Sequence, residues 1–325
     1  MKRTTLKTLA ALATLALFSG IVSAQTKLKW AHVYEVGEPY HKQALWAAEE
    51  VKKRSAGRIN IEVYPASMLG KESDLNQGLG LGTVDIIYTG MAFAGRAFPP
   101  ISIASGPFIF RDYAHWQAFR NSQVFKDLAA GYEGKAGGNH IVGYTYYGQR
   151  HMTANKPILK PEDMKGLKIR VPDAPLFLMF PKAVGANPTP IAFAEVYLAL
   201  QNGTVDAQEN PLPTIDAKKF YEVQKHIMLT GHITESLVTI VAGGVWAKLP
   251  EADRKIVSDV MWEASTRATN DIAGAETALV TDFGKRGVSV IKVDRVPFIA
   301  AVQKAVTSPD APWSKALYDQ VQAIK

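Results

Sequence analysis

The 325-residue chain contains no cysteine. A disulfide framework, a thiolate metal centre and a cysteine nucleophile are therefore excluded together. Long apolar runs are equally scarce: Leu9 to Val22 at the N-terminus stands alone, so nothing here resembles a multispanning membrane protein. Clustered charge of one sign is missing as well. The 37 Lys and Arg are interleaved with the 30 Asp and Glu rather than gathered into runs, which is no nucleic-acid footprint. With 47% hydrophobic residues the chain is long enough and apolar enough for a substantial core, and its length favours two domains over one.

The common catalytic constellations are absent too. No Gly-x-Ser-x-Gly elbow, His-Glu-x-x-His pair or P-loop occurs. Gly78, Gly80 and Gly82 approach a dinucleotide loop, but Thr83 stands where the third glycine belongs and the run follows a helical stretch. The seven histidines, among them His32, His41, His151 and His232, show no close ligand spacing. Neither an enzyme nor a metal or other cofactor is expected.

What is present begins with a targeting pattern. Lys2, Arg3 and Lys7 precede the apolar run, and Val22-Ser23-Ala24 supplies small residues before Gln25, so residues 1–24 read as a cleaved export signal and the protein as periplasmic or secreted. The run is shorter than the roughly 20 residues a bilayer requires, which disfavours a retained anchor. Removal of the segment leaves a net charge of +4 out of +7.

Downstream, strands and helices alternate. Leu28 to Val33 reads as a buried strand, Tyr40 to Ser55 as a helix, Ile59 to Val63 as a strand ending at Pro65, and Val84 to Tyr88 as a third strand. The same grammar returns with a strand over Leu167–Val171 and helices over Leu176–Val184 and Ile191–Gln201, Pro190 suiting the latter's first turn. Gly82-Thr83-Val84-Asp85 and Gly203-Thr204-Val205-Asp206 recur at the same step, after a helix and opening a strand. A strand from Leu237 to Val245, a long helix from Pro250 to about Phe283 and a strand over Val288–Val293 follow. The pattern predicts an α/β protein of two lobes, each a mainly parallel sheet flanked by helices, hinged about a ligand cleft. The expected boundaries are 25–147 plus 236–275 for the first lobe and 148–235 plus 276–325 for the second.

Arg170 is the conspicuous residue, a charge inside the apolar strand Leu167-Lys168-Ile169-Arg170-Val171. A buried guanidinium needs an anion. An internal Asp or Glu, exposure at a sheet edge, or a ligand carboxylate held by the planar fork each satisfies that need.

The strings Tyr147-Gly148-Gln149-Arg150, Met164 to Pro172, Pro188 to Gln201, Val205 to Leu212 and Lys219 to Lys225 closely resemble the substrate-binding proteins of tripartite ATP-independent periplasmic (TRAP) transporters, the branch that includes sialic-acid and C4-dicarboxylate binders. The resemblance spans essentially the whole chain after the signal. It implies a monomeric periplasmic receptor that captures an organic acid and delivers it to TRAP membrane subunits, an ABC-type or sensor-associated receptor and a secreted hydrolase or lyase being the competing readings. It further implies that Arg170 binds the substrate carboxylate, that Arg150 and Asn210 complete the clamp, and that Phe193 packs on the substrate body, although Phe193 also fits a helix's apolar face. Glu72 keeps an acidic match, and Asp173 joins the candidate set next to Pro172.

The first lobe departs from the sialic-acid binders. Val33 and Gly90 stand where those proteins offer polar side chains, with Tyr34 and Met91 beside them. The sugar's hydroxyls would be buried unpaired at about 1–3 kcal/mol each. The expected ligand is a monocarboxylate with an apolar or aromatic body, or a short oxo or hydroxy acid, with Glu72 keeping uronic acids in play.

Overall fold

The computed structural model describes residues 25–325, and the expected export signal lies outside them. In chain order the elements are β1 (Thr26–Ala31), α1 (Pro39–Arg54), β2 (Ile59–Tyr64), α2 (Glu72–Leu81), β3 (Ile86–Gly90), α3 (Met91–Ala94), α4 (Tyr113–Asn121), α5 (Gln123–Lys135) and β4 (His140–Ala154). There follow β5 (Lys168–Val171), α6 (Met179–Ala183), β6 (Asn187–Pro190), α7 (Val196–Gln201), β7 (Ala207–Pro211), α8 (Leu212–Ala217) and β8 (His226–Val241). The chain ends with α9 (Gly243–Trp246), α10 (Glu251–Lys285), β9 (Ser289–Ile291), α11 (Val296–Val306) and α12 (Lys315–Ala323). Among the described residues no helix is long and apolar enough to cross a membrane.

One sheet runs through the molecule in the order β2-β1-β3-β8-β4-β7-β5-β6, with β9 on β8. Its outer strands are parallel, β1 between β2 and β3 on one side and β5 between β6 and β7 on the other. The centre departs from the parallel expectation: β3, β8, β4 and β7 pair antiparallel. The two long strands β4 and β8 cause this, since each runs through both halves. Residues 140–145 of β4 pair with Leu237–Val241, which also carry β3, while Arg150–Ala154 pair with β7.

The recurring Gly-Thr-Val-Asp string has the same task in each half. Gly82 and Gly203 turn the chain at φ 71° and 69°. Asp85 then accepts from the Lys29 N–H at 2.8 Å, and Asp206 from the Lys168 N–H at 3.0 Å, each fixing the start of a parallel strand against its neighbour. The repeat thus sets β3 against β1 and β7 against β5.

Two helix expectations need correction. Residues 191–201 are not one helix: Asn187–Pro190 form strand β6, a short 3-10 turn covers Phe193–Glu195, and only Val196–Gln201 is α-helical. Pro188 and Pro190 are tolerated because β6 is the sheet edge, where missing N–H groups cost no ladder bond. Likewise Leu176–Val184 splits into a 3-10 turn and α6. The strand expected from Leu237 starts eleven residues earlier and ends at Val241, and β4 carried no periodic signal because residues 141–148 are buried on both faces.

The long α10 pins the middle of β4. Thr269 Oγ1 accepts from the Tyr146 N–H at 3.0 Å, and Glu276 accepts from the Tyr146 hydroxyl and the Gln149 N–H at 2.9 and 2.8 Å. Between those anchors the register slips, and Gly148 sits at φ 114°. A Cβ there would lie 2.8 Å from Pro211 Cβ and 3.1 Å from Glu276 Oε1. Gly148→Ala is therefore expected to destabilise by about 1–3 kcal/mol of backbone strain, plus the collision. Gly134→Ala in α5, with open space around it, is expected to be neutral or stabilising, and paired urea titrations compare the two.

Candidate ligand-binding site

The carboxyl ends of β1, β3, β5 and β7 converge on a narrow cavity of about 30 Å³ between the two halves of the sheet. Of the expected residues, Arg150, Arg170, Asn210 and Phe193 line it from the second half, and Val33, Tyr34, Glu72 and Gly90 from the first.

Arg170 is 2% exposed. Its Nε and Nη2 donate to the Ile191 carbonyl at 3.0 and 2.7 Å, while Nη1 is buried without a partner. Two bland readings of this residue thus fail: β5 is interior, and no carboxylate among the described residues pairs with the guanidinium. Burial depresses its pKa to about 10, with Glu209's charge opposing the shift and Arg150's adding to it. Phe193, half-buried after β6, lies with its ring centroid 6.0 Å from this guanidinium.

Arg150 lies in the same pocket in a different electrostatic state. Its Nε and Nη2 reach Glu209 Oε2 and Oε1 at 2.5 and 2.8 Å, and Nη2 also meets the Glu209 carbonyl at 2.8 Å and Asn210 Oδ1 at 3.2 Å. Burial alone would push the Glu209 carboxyl up, but Arg150 and His232 hold it at about 2. The two form a buried neutral pair. Asn210 spends its other atom on Gln208, Nδ2 donating at 2.6 Å. Arg150 and Asn210 are therefore braced from behind, with Arg150 Nη1 4.0 Å from Glu235 Oε2, whereas Arg170 has no carboxylate against it.

On the opposite wall, Glu72 Oε1 accepts from the Thr89 hydroxyl at 2.9 Å and the Gly90 N–H at 2.8 Å, and burial raises its pKa. A Cβ on Gly90 would meet only ordinary contacts, so the glycine there opens the pocket rather than relieving strain. Tyr34 packs against Tyr40, Tyr147 and Phe193 with ring centroids 5.0, 5.3 and 6.4 Å away. Met91, expected on this wall, is instead buried in the core, and Phe93 takes that place. Asp173 lies at the mouth, in an adjoining cleft with Glu72 and Arg170, where Arg96 donates to its carbonyl at 2.5 Å across the cleft.

Sequence reasoning missed Tyr147, Phe177, Glu235 and Leu237 in the lining, and Glu209 behind it. Glu209 and Glu235 carried the signal that exposed Arg170, a charge inside a strand: both are 2% exposed or less. Among the described residues no cluster of His, Asp or Glu has metal-binding geometry.

Residues 30–309 match the model of bacterial extracellular solute-binding protein family 7. The sialic acid-binding periplasmic protein SiaP of Vibrio cholerae is 33% identical over 307 residues, 93% of this chain and 94% of its own. The crystal structure of a TRAP periplasmic solute binding protein from Polaromonas sp. JS666, bound to D-erythronate, is similar with a TM-score of 0.88 and 34% identity, covering 93% of this chain and 99% of that one. A counterpart from Sulfurospirillum deleyianum with bound succinate gives 0.87 and 28%, covering 93% and 100%.

Burial pushes the Glu235 carboxyl up to about 7 from an ordinary value of about 4.5. The native state thus keeps a proton that the unfolded chain releases. The resulting stability is fully present below about 4.5 and is lost as pH rises through about 7. Glu235→Gln cannot titrate, so its thermal midpoint relative to the parent is expected to become more positive from pH 5 to pH 8. A difference independent of pH would show that burial does not raise this carboxyl.

Proposed function

The chain belongs to family 7 of the bacterial extracellular solute-binding proteins, the periplasmic receptors of TRAP transporters, and from that premise we propose that it seats the carboxylate of a small monocarboxylic acid on Arg170. Members of this family are not enzymes: they bind organic acid anions and hand them to TRAP membrane subunits. Our reading adds which residues do so here and which acids they accept. It includes a cleaved signal over residues 1–24, a monomeric receptor, and the lobe boundaries near 147, 235 and 275 that let the cleft open.

The observation that carries the reading is the unpartnered Nη1 of Arg170, buried at the pocket. Arg150 is already paired with Glu209, so one incoming carboxylate meets one guanidinium that has no carboxylate partner, that of Arg170. A second carboxylate would face Glu72 and Glu235 in the same small volume, which favours a monoacid over a diacid such as the succinate of the Sulfurospirillum protein. Val33, Tyr34, Phe93, Phe177, Phe193 and Leu237 supply a largely apolar enclosure around a cavity of about 30 Å³, so the halves must part to admit any acid. Such a wall offers few partners for hydroxyls, which makes a nine-carbon polyhydroxylated acid a poor match and a short hydroxy acid like the D-erythronate of the Polaromonas protein a better one.

Bridges across the cleft suit a closing receptor. Glu38 Oε1 accepts from the Thr214 hydroxyl at 2.7 Å, Lys218 pairs with Glu35 at 2.8 Å, and Arg96 reaches Asp173. Each pair joins one half of the sheet to the other, so separating the halves breaks all three.

A thermal-shift screen of organic acids is expected to rank short hydroxy, oxo or aromatic monocarboxylates above sialic acid, because ligands of the folded state raise the midpoint with affinity. Titration calorimetry with the best acid should then show Arg170→Ala losing about 2–5 kcal/mol of binding with its fold intact, and Arg170→Lys performing poorly for want of the planar fork. A loss below threefold for the alanine variant would remove Arg170 from the site.

A further inference from the structure

Two pocket-lining side chains are buried with an unpartnered polar atom, and they are of opposite kind. Arg170 Nη1 is a donor, and Glu235 Oε2 is an acceptor. Glu235 is 1% exposed. Its other oxygen is fully occupied, accepting from the Ser105 hydroxyl and from the Ser236 N–H at 3.0 Å. The nearest cation to Oε2 is Arg150 Nη1 at 4.0 Å, beyond hydrogen-bond reach, and that guanidinium is already committed to Glu209.

Strand geometry keeps this atom at the pocket. Glu235 lies opposite Gly148 in the β4–β8 ladder, at the slip in register. Glu235 and Leu237, two residues apart on β8, both line the pocket, as alternation requires. Ser236 between them faces the other way, taking the Trp116 indole N–H at 2.7 Å and donating to the Tyr144 hydroxyl at 2.7 Å. The side chain is held on one oxygen so that the other faces the ligand space. A carboxyl oxygen left there without a donor is costly in the interior.

We infer that Glu235 is a specificity residue that hydrogen-bonds a hydroxyl on the ligand, so that the substrates of this receptor are hydroxylated short-chain monocarboxylates rather than alkanoates or oxo acids. The inference rests on the reading of the pocket as a carboxylate receptor. A hydroxy acid completes both orphan atoms together, its carboxylate accepting from Arg170 Nη1 and its hydroxyl donating to Glu235 Oε2. The burial that raises the Glu235 carboxyl to about 7 does not oppose this pairing, because a hydroxyl both donates and accepts. An oxo group only accepts, and it meets an acceptor whenever Glu235 is ionised. An alkanoate leaves Oε2 bare.

The test is calorimetric binding of butanoate, 2-oxobutanoate, 2-hydroxybutanoate, 3-hydroxybutanoate and D-erythronate, at pH 8, to the parent protein and to Glu235→Leu, Glu235→Met and Arg170→Ala. In the parent, at least one hydroxylated acid is expected to bind tenfold or more tighter than butanoate and than 2-oxobutanoate. The ratio to butanoate should fall below threefold in Glu235→Leu and in Glu235→Met, whose unbranched side chain is close to glutamate in length, carries no hydrogen-bonding oxygen or N–H, and decides the matter if the leucine variant does not fold. No hydroxyl preference in the parent, or a preference that survives in both variants, would overturn the role of Glu235 and leave the carboxylate seat standing. Failure of every acid to bind the parent, or undiminished binding to Arg170→Ala, would overturn the receptor reading and this inference with it.

Discussion

An unpaired guanidinium enclosed by protein is the constraint on which this structure turns. Desolvating a charge is expensive, and a fold tolerates it only when something else gains. Arg170 commits two of its three guanidinium nitrogens to one backbone carbonyl and keeps the third, Nη1, at the pocket with no partner. The site is therefore left with an unfilled donor, and in our proposal a ligand carboxylate fills it. Arg150 makes the contrast plain: set in β4, with β7 and its Glu209 between it and β5, it has a carboxylate of the protein against it.

The architecture serves that imbalance. Both halves of the sheet aim the carboxyl ends of parallel strands at the cleft, the usual place for ligands of such sheets. The antiparallel pair β4 and β8 links the halves, and it loses regular register where Tyr146, Gly148 and Arg150 sit. Gly148 and the slipped register lie beside the pocket-lining Tyr147 and Arg150, and in our proposal this is where the halves turn on one another.

Much of this was legible in the sequence because burial leaves traces. Arg170 announced itself as a charge among Leu167, Ile169 and Val171, and the repeated Gly-Thr-Val-Asp marked the same turn and the same aspartate bridge in each half. What escaped is equally physical. Gly203-Thr204-Val205-Asp206 marked the opening of a strand, but the polar string Ala207-Gln208-Glu209-Asn210 gave no sign that this strand is central and buried, which it is because Arg150, Thr153 and His232 satisfy its side chains. Strand β4 is interrupted by Gly143 and Gly148 and buried on both faces over much of its length, so it has no alternation to read. Pro190 signalled a helix start, but at a sheet edge it fits a strand just as well, as does Pro188.

The central claim is that a ligand carboxylate supplies the counter-charge of Arg170. The most direct measurement is a crystal structure of the protein saturated with the acid that most raises its thermal midpoint. The account requires a carboxylate oxygen within hydrogen-bond distance of Arg170 Nη1, with the Ile191 carbonyl still holding Nε and Nη2 and the Arg150–Glu209 pair intact. A ligand bound elsewhere, or bound in the pocket with Nη1 still unpaired, would contradict it.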